Sequence, residues 1–228
     1  MYILALDSTS PTASVAVTDN EILMGLYTVN TKNTHSETLL PMVESLLTSL
    51  SLNIDDIDLF ACAEGPGSFT GVRIGAATIK GLAFAKNKPC VGVSTLHALA
   101  LNMAATGIAS IICPVMNARR NQVYNAIFQS DGATITRLTP DRAISLEDLQ
   151  AELSACTNLP IYFTGDGCQM STDAITLSNL QPTPELQKYQ NAYQVAVAAL
   201  TLPQTTDTNL VPTYLRQSQA EREREERT

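Results

Sequence analysis

The chain has 228 residues, enough for one large domain or two small ones and for a core that needs no disulfide or metal staple. Apolar residues make up 45% and charged residues 16%, which excludes a disordered chain, a coiled coil and a collagen-like fibre. Lys and Arg number 14 against 22 Asp and Glu, a formal charge of -8. Such an acidic surface does not neutralise phosphates, so stand-alone nucleic-acid binding is not expected; if a nucleic acid is involved, a partner must supply the basic surface.

The longest apolar runs, such as Ile108 to Val115, have strand length and are too short to span a membrane. Met1 to Asp7 lacks a basic n-region and a cleavage site and reads as a buried strand, not a signal peptide. Cys62, Cys90, Cys113, Cys156 and Cys168 form no C-x-x-C pair. Cys62, Cys90 and Cys113 lie in or beside apolar runs, where a free thiol acts as a small hydrophobe. The cysteines fit a reducing, cytoplasmic location.

Three strands come first: Ile3 to Leu6, Ser14 to Thr18 and Leu23 to Val29, a meander turning at Asn20. Thr34-His35-Ser36-Glu37 has the spacing of a capping box. The helix behind it carries Leu39, Leu40, Val43, Leu46, Leu47 and Leu50, with Pro41 near its first turns, where amides have few partners. Leu59 to Ala63 is a strand that runs into Gly65-Pro66-Gly67-Ser68. Ser68 is placed to cap a Gly- and Ala-rich helix from Phe69 to Lys86. Cys90 to Val93 is the next strand, and Ser94-Thr95 caps a helix through Ala105.

The second half begins with strands Ile108 to Val115, Val123 to Gln129 and Thr134 to Leu138, with Asp131-Gly132 as a hairpin turn. Ser145 precedes a helix over Leu146 to Ala155. Ile161 to Thr164 is a strand ending at Gly165-Asp166-Gly167, and Asn191 to Leu200 is a helix. Three strands, helix, strand thus occurs twice. This is the order of the actin-like ATPase (ASKHA) fold: α/β, two similar βββαβα halves, a central mixed sheet in each, and a cleft between them where nucleotide binds. The expected division is 1–105, 106–220 and a charged tail, 221–228, which reads as a solvated end.

Asp7-Ser8-Thr9-Ser10 follows the first strand. In this fold the turn meets phosphate or metal, so Asp7, Ser8 and Thr9 are the candidates for a cofactor contact. The loop has no glycine, which favours a self-closed Asx or Ser turn over a phosphate cradle. Gly65 to Gly71 is not a P-loop, since no Lys-Ser or Lys-Thr follows, and Ser68 is not in a G-x-S-x-G elbow. Gly71 and Gly75, one turn apart, let another backbone approach. His35 and His97 share no ligand spacing, so no metal site, catalytic residue or cofactor is expected. Arg119, in Asn117-Ala118-Arg119-Arg120, is placed to reach a phosphate or to form a hairpin-tip salt bridge.

Ile3 to Ser10 (ILALDSTS), His35 to Pro41 (HSETLLP), Gly65 to Lys80 (GPGSFTGVRIGAATIK), Met116 to Tyr124 (MNARRNQVY) and Val211 to Arg216 (VPTYLR) resemble the TsaB (YeaZ) family across nearly the whole chain. Asn117 stands where that family usually has aspartate. The resemblance implies a non-catalytic subunit of the bacterial machinery that makes threonylcarbamoyladenosine at position 37 of tRNA. Its partners would be a TsaD-like transferase and, through the complex, a TsaE-like ATPase, with a homodimer when alone. The two metal-binding histidines of TsaD-like proteins fall here at about Thr95 and Leu99, which supply no imidazole. The resemblance places the partner surface on the helices Thr34 to Leu50 and Phe69 to Lys86, with Leu39, Val43, Leu46, Leu47, Phe69, Gly71, Val72, Gly75, Ala76 and Ile79 expected at the contact. An active actin-like ATPase or small-molecule kinase is the alternative reading; a metallopeptidase finds the least support.

Overall fold

The computed structural model describes residues 1–31, 34–104, 106–156, 158–204 and 210–216. Ala105 and the charged tail 221–228 lie outside the described residues.

The first sheet holds β1 (Tyr2–Asp7), β2 (Thr12–Asp19), β3 (Ile22–Asn30), β4 (Leu59–Gly65) and β5 (Cys90–Ser94), in the order β3-β2-β1-β4-β5. The meander β1-β2-β3 is antiparallel, and β4 and β5 add in parallel through helical crossovers. Every residue from Ile3 to Asp7 is buried, because helices cover both faces of the sheet. One face takes α1 (His35–Ser49) and α2 (Phe69–Lys86) over Leu4, Leu6, Val15 and Phe60. The other takes α6 (Ala192–Ala199) over Ile3, Ala5, Ala61 and Val91.

The second sheet is built on β6 (Ser110–Asn117). It is flanked by β7 (Gln122–Asn125) and β8 (Phe128–Ser130), then by β10 (Arg142–Ser145) and β9 (Ile135–Arg137), while β11 (Ile161–Thr164) pairs β6 in parallel. The expected strand Val123 to Gln129 is therefore two short strands. The cause is Pro114 in the middle of β6, which has no N–H for the ladder. The Asn125 side chain fills the break: its Nδ2 donates to Pro114 O (3.0 Å) and Ala126 O (3.0 Å) and lies 3.1 Å from Cys113 Sγ. With β7/β8 and β9/β10 each counted as one interrupted strand, the second sheet repeats the first without β5. Helices α4 (Leu146–Ser154) and α5 (Cys168–Ala174) pack on it through Leu146, Leu149, Leu153 and Cys168.

Helix α3 (Thr95–Leu101) joins the halves. Leu96, Leu99 and Ala100 enter a core with Ile112, Met116 and Phe128 of the second sheet. The His97 ring stacks on Phe128 at 5.9 Å, and burial pulls the His97 pKa down, which favours a neutral, packed imidazole over a ligand.

Three further expectations are corrected. α3 stops at Leu101, short of Ala105. Thr34 is the N-cap of α1, but its side chain makes no cap bond, so no capping box forms. The second half is not one continuous 106–220 unit, because α6 and Leu210 pack on the first sheet. α6 does so because Ala192, Val195, Ala196 and Ala199 give it an apolar stripe that covers the otherwise bare face of β1 and β4.

Candidate functional site

The ends of the parallel strands open into a cleft between the two sheets, with a volume of about 440 Å³. On one side lie Thr9 and Ser10 after β1 and Pro66 to Thr70 at the start of α2. Opposite lie Met116 to Arg119 after β6, Tyr124 and Asp166, and Thr213 to Arg216 close one end. The two halves contribute matching parts. Asp7 and Asn117 end the central strands; Gly65-Pro66-Gly67 and Gly165-Asp166-Gly167 end their parallel neighbours.

The turn after β1 is closed on itself. Thr9 N–H and Oγ1–H both donate to Asp7 Oδ1 (2.9 and 2.7 Å), the expected Asx turn. Ser10 Oγ donates to Gln190 Oε1 (2.6 Å), and His35 Nε2 donates to Ser10 O (2.7 Å). Ser8 Oγ turns away from the cleft and donates to Gly71 O (2.9 Å), and Ser68 N–H donates to Thr9 O (2.7 Å). Asp7 is 1% exposed, and its Oδ2 has no partner. Burial pushes its carboxyl up to about 6, against the pull of the two Thr9 donors, and Asp166 adds a repulsion in the same direction. Asp166 accepts from Asn117 N–H (3.2 Å) and is also pushed up by burial.

This packing explains Gly67, just before α2, and Gly71 and Gly75 within it. A Cβ at Gly67 would stand 2.5 Å from Thr9 O, one at Gly71 would land on the Ser8 carbonyl oxygen, and one at Gly75 would stand 2.5 Å from Ser8 Oγ. The small-residue face thus serves the chain's own β1 turn. Ser68 caps α2 as expected, accepting from Gly71 N–H (3.4 Å).

The residues expected at a partner contact fall elsewhere. Leu39, Val43, Leu46, Leu47, Gly71, Val72, Gly75, Ala76 and Ile79 are buried, the first four and Ala76 and Ile79 in the core under the sheet. Phe69 is half-buried, its ring 4.7 Å from that of Tyr214. The reason is geometric: the sheet needs the main aliphatic stripe of each helix for itself. The outward faces carry Leu40 (52% exposed) and Pro41 on α1, and Arg73, Ala77, Gly81, Phe84 (81% exposed) and Ala85 on α2.

Asp166, Tyr124 and Glu64 were not singled out from the sequence. The Gly-Asp-Gly after β11 mirrors the Gly-Pro-Gly after β4, and that parallel is the signal that marks Asp166. Glu64 lies over Gly92 beside Leu210, and burial raises its pKa. Among the described residues no group of three His, Cys, Asp or Glu is placed to hold a metal ion, and no helix is long and apolar enough to cross a membrane.

Two related three-stranded meanders, each extended in parallel and facing the other across a cleft, define the actin-like ATPase fold. Residues 23–224 match the family described as "TsaD: tRNA N6-adenosine threonylcarbamoyltransferase". The chain is 31% identical to the tRNA threonylcarbamoyladenosine biosynthesis protein TsaB of Bacillus subtilis, over 97% of this chain and 96% of that one. It is 36% identical to TsaB of Escherichia coli, over 58% of this chain and 56% of that one. YeaZ from Pseudomonas aeruginosa has the same fold, with a TM-score of 0.80 at 23% identity over 94% of this chain and 99% of that one. The chain is a member of this wider family and belongs to its TsaB proteins, the tRNA threonylcarbamoyladenosine biosynthesis proteins.

Proposed function

We propose that the chain is a non-catalytic subunit of the machinery that makes threonylcarbamoyladenosine in tRNA. In this reading it pairs with a TsaD-like transferase, meets a TsaE-like ATPase through that complex, and dimerises when alone. The observation that carries the reading is the closed β1 turn. A phosphate cradle needs donors aimed at the ligand. Here Ser8 Oγ, Thr9 N–H and Thr9 Oγ1 donate inside the chain, and Asp7 is sealed behind them. Opening this turn for a nucleotide would break those bonds and lift the turn off Gly71.

The partner surface in this reading is the outward side of α1 and α2. Leu40 and Phe84 are large apolar side chains left exposed there, with Ala77, Gly81 and Ala85 adding no bulk. Aromatic anchors ringed by small residues suit a packed interface. The -8 charge leaves tRNA contacts to the transferase.

The test is a binding assay with the TsaD-like protein of the same organism. Wild-type chain should co-elute with it. Leu40→Asp and Phe84→Asp should fold normally and lose pairing. Undiminished pairing of both variants would remove this surface from the account.

A further inference from the structure

We propose that residues 210–216 are a clasp that runs from the first half across the mouth of the cleft and holds the β6–β7 tip of the second. The anchoring is unequal. On the first half, Leu210 is buried, and a Cβ at Gly92 would stand 2.7 Å from its Cδ1. Lys80 Nζ donates to Leu210 O (3.3 Å), and Thr213 N–H donates to Glu64 O (2.7 Å). Arg73 Nε donates to Tyr214 Oη (2.8 Å), and the same guanidinium lies 3.7 Å from the centre of the Phe69 ring. Gly65 is bare where the clasp passes; a Cβ there would stand 2.5 Å from Thr213 O. The seat on the first half is therefore shaped for this segment.

Among the described residues, the hold on the second half is a bond from Arg216 Nη1 to Ala118 O (2.7 Å). The residues after Ala118 are unusual. Arg119, Arg120 and Asn121 have φ of +62°, +54° and +58°, three successive non-glycine residues in the left-handed region. Such a run is strained and persists only where the surroundings fix it. Ala118 N–H donates to Gln122 O (3.0 Å), Gln122 N–H to Arg119 O (3.1 Å), and Arg119 N–H to Asn117 Oδ1 (2.8 Å), so the tip is tied within itself. Arg216 ties it to the other half.

Ala118 and Arg119 line the cleft, as do Tyr214 and Arg216. Releasing Arg216 thus opens the cleft at the tip while the clasp stays seated on α2. The halves do not come apart, because the α3 core still joins them. The clasp sets access to the cleft, whether or not the partner reading above holds.

The test is hydrogen exchange on the full chain, comparing wild type with Arg216→Ala and Arg216→Lys. A charge-assisted bond to a strained tip should be worth about tenfold in local exchange. Arg216→Ala should speed exchange about tenfold across 115–124 and leave 161–175 and 210–214 unchanged. Arg216→Lys, which keeps a charged donor, should restore part of the protection. Unchanged exchange across 115–124 in Arg216→Ala would overturn the proposal. So would an equal rise across 161–175, which would assign Arg216 to the stability of the whole second half.

Discussion

Replacing Asp7 by Asn should change how stability depends on pH more than it changes stability at any one pH. The Asp7 carboxyl is buried, its Oδ2 is unpartnered, and its pKa is raised from 3.8 to about 6. That displacement corresponds to roughly 3 kcal/mol between the two protonation states. The folded chain holds this proton to higher pH than the unfolded chain does. The group's contribution is therefore full below about pH 4 and is lost as pH rises to about 6. An amide keeps the oxygen that accepts from Thr9 and does not ionise. Its extra N–H finds no partner at the Oδ2 position, a constant cost of roughly 1–3 kcal/mol. That cost does not vary with pH, so the slope isolates the charge. Urea unfolding of wild type and Asp7→Asn at a series of pH values measures it. The stability difference should move in favour of Asp7→Asn by roughly 3 kcal/mol between about pH 3 and about pH 7. A difference that stays flat, or moves the other way, would refute the burial argument.

Other outcomes follow from packing. Gly81→Ala should stabilise the chain by about 0.5–1 kcal/mol in a thermal melt, since a Cβ there meets nothing within 4 Å and glycine weakens a helix interior. Gly75→Leu should instead destabilise by about 1–3 kcal/mol or more, because its first added atom meets Ser8 Oγ at 2.5 Å. Leu39→Ala should cost about 2–5 kcal/mol in chemical unfolding, while Leu40→Ala, one residue on and 52% exposed, should stay within about 0.5 kcal/mol of wild type. Asn125→Leu should cost about 1–3 kcal/mol, since it leaves Pro114 O buried without its donor.

Much of this architecture was legible in the chain. The apolar runs Ile3 to Leu6 and Leu59 to Ala63, the Ser68 and Ser94 caps and the twice-repeated order gave the two sheets and their main helices. The turn chemistry of Asp7 was legible too, because a glycine-free Asp-Ser-Thr closes on its own amides. What the sequence left open was the assignment of faces. The apolar stripe of α1 and the glycines of α2 were expected at the partner contact, without a choice between the two faces of α2 for sheet and partner. The sheet and the Ser8 carbonyl claim them first, and which side an amphipathic helix buries depends on tertiary neighbours that periodicity does not name. The split of β7 from β8 was missed because Pro114 acts across the ladder, on a strand distant in sequence. Helix α5 and the return of α6 to the first sheet were missed for the same reason: each is set by which bare face remains to be covered.

The central claim is that this chain supports a transferase through its outer helices and not through chemistry in its cleft. Reconstituted threonylcarbamoylation of tRNA with the TsaD-like and TsaE-like proteins tests it most directly. The combined Asp7→Asn and Asp166→Asn variant should sustain wild-type modification, and the combined Leu40→Asp and Phe84→Asp variant, equally well folded, should sustain almost none. Loss of modification in the cleft variant, with full modification by the helix variant, would contradict the account and place the chemistry between the two halves.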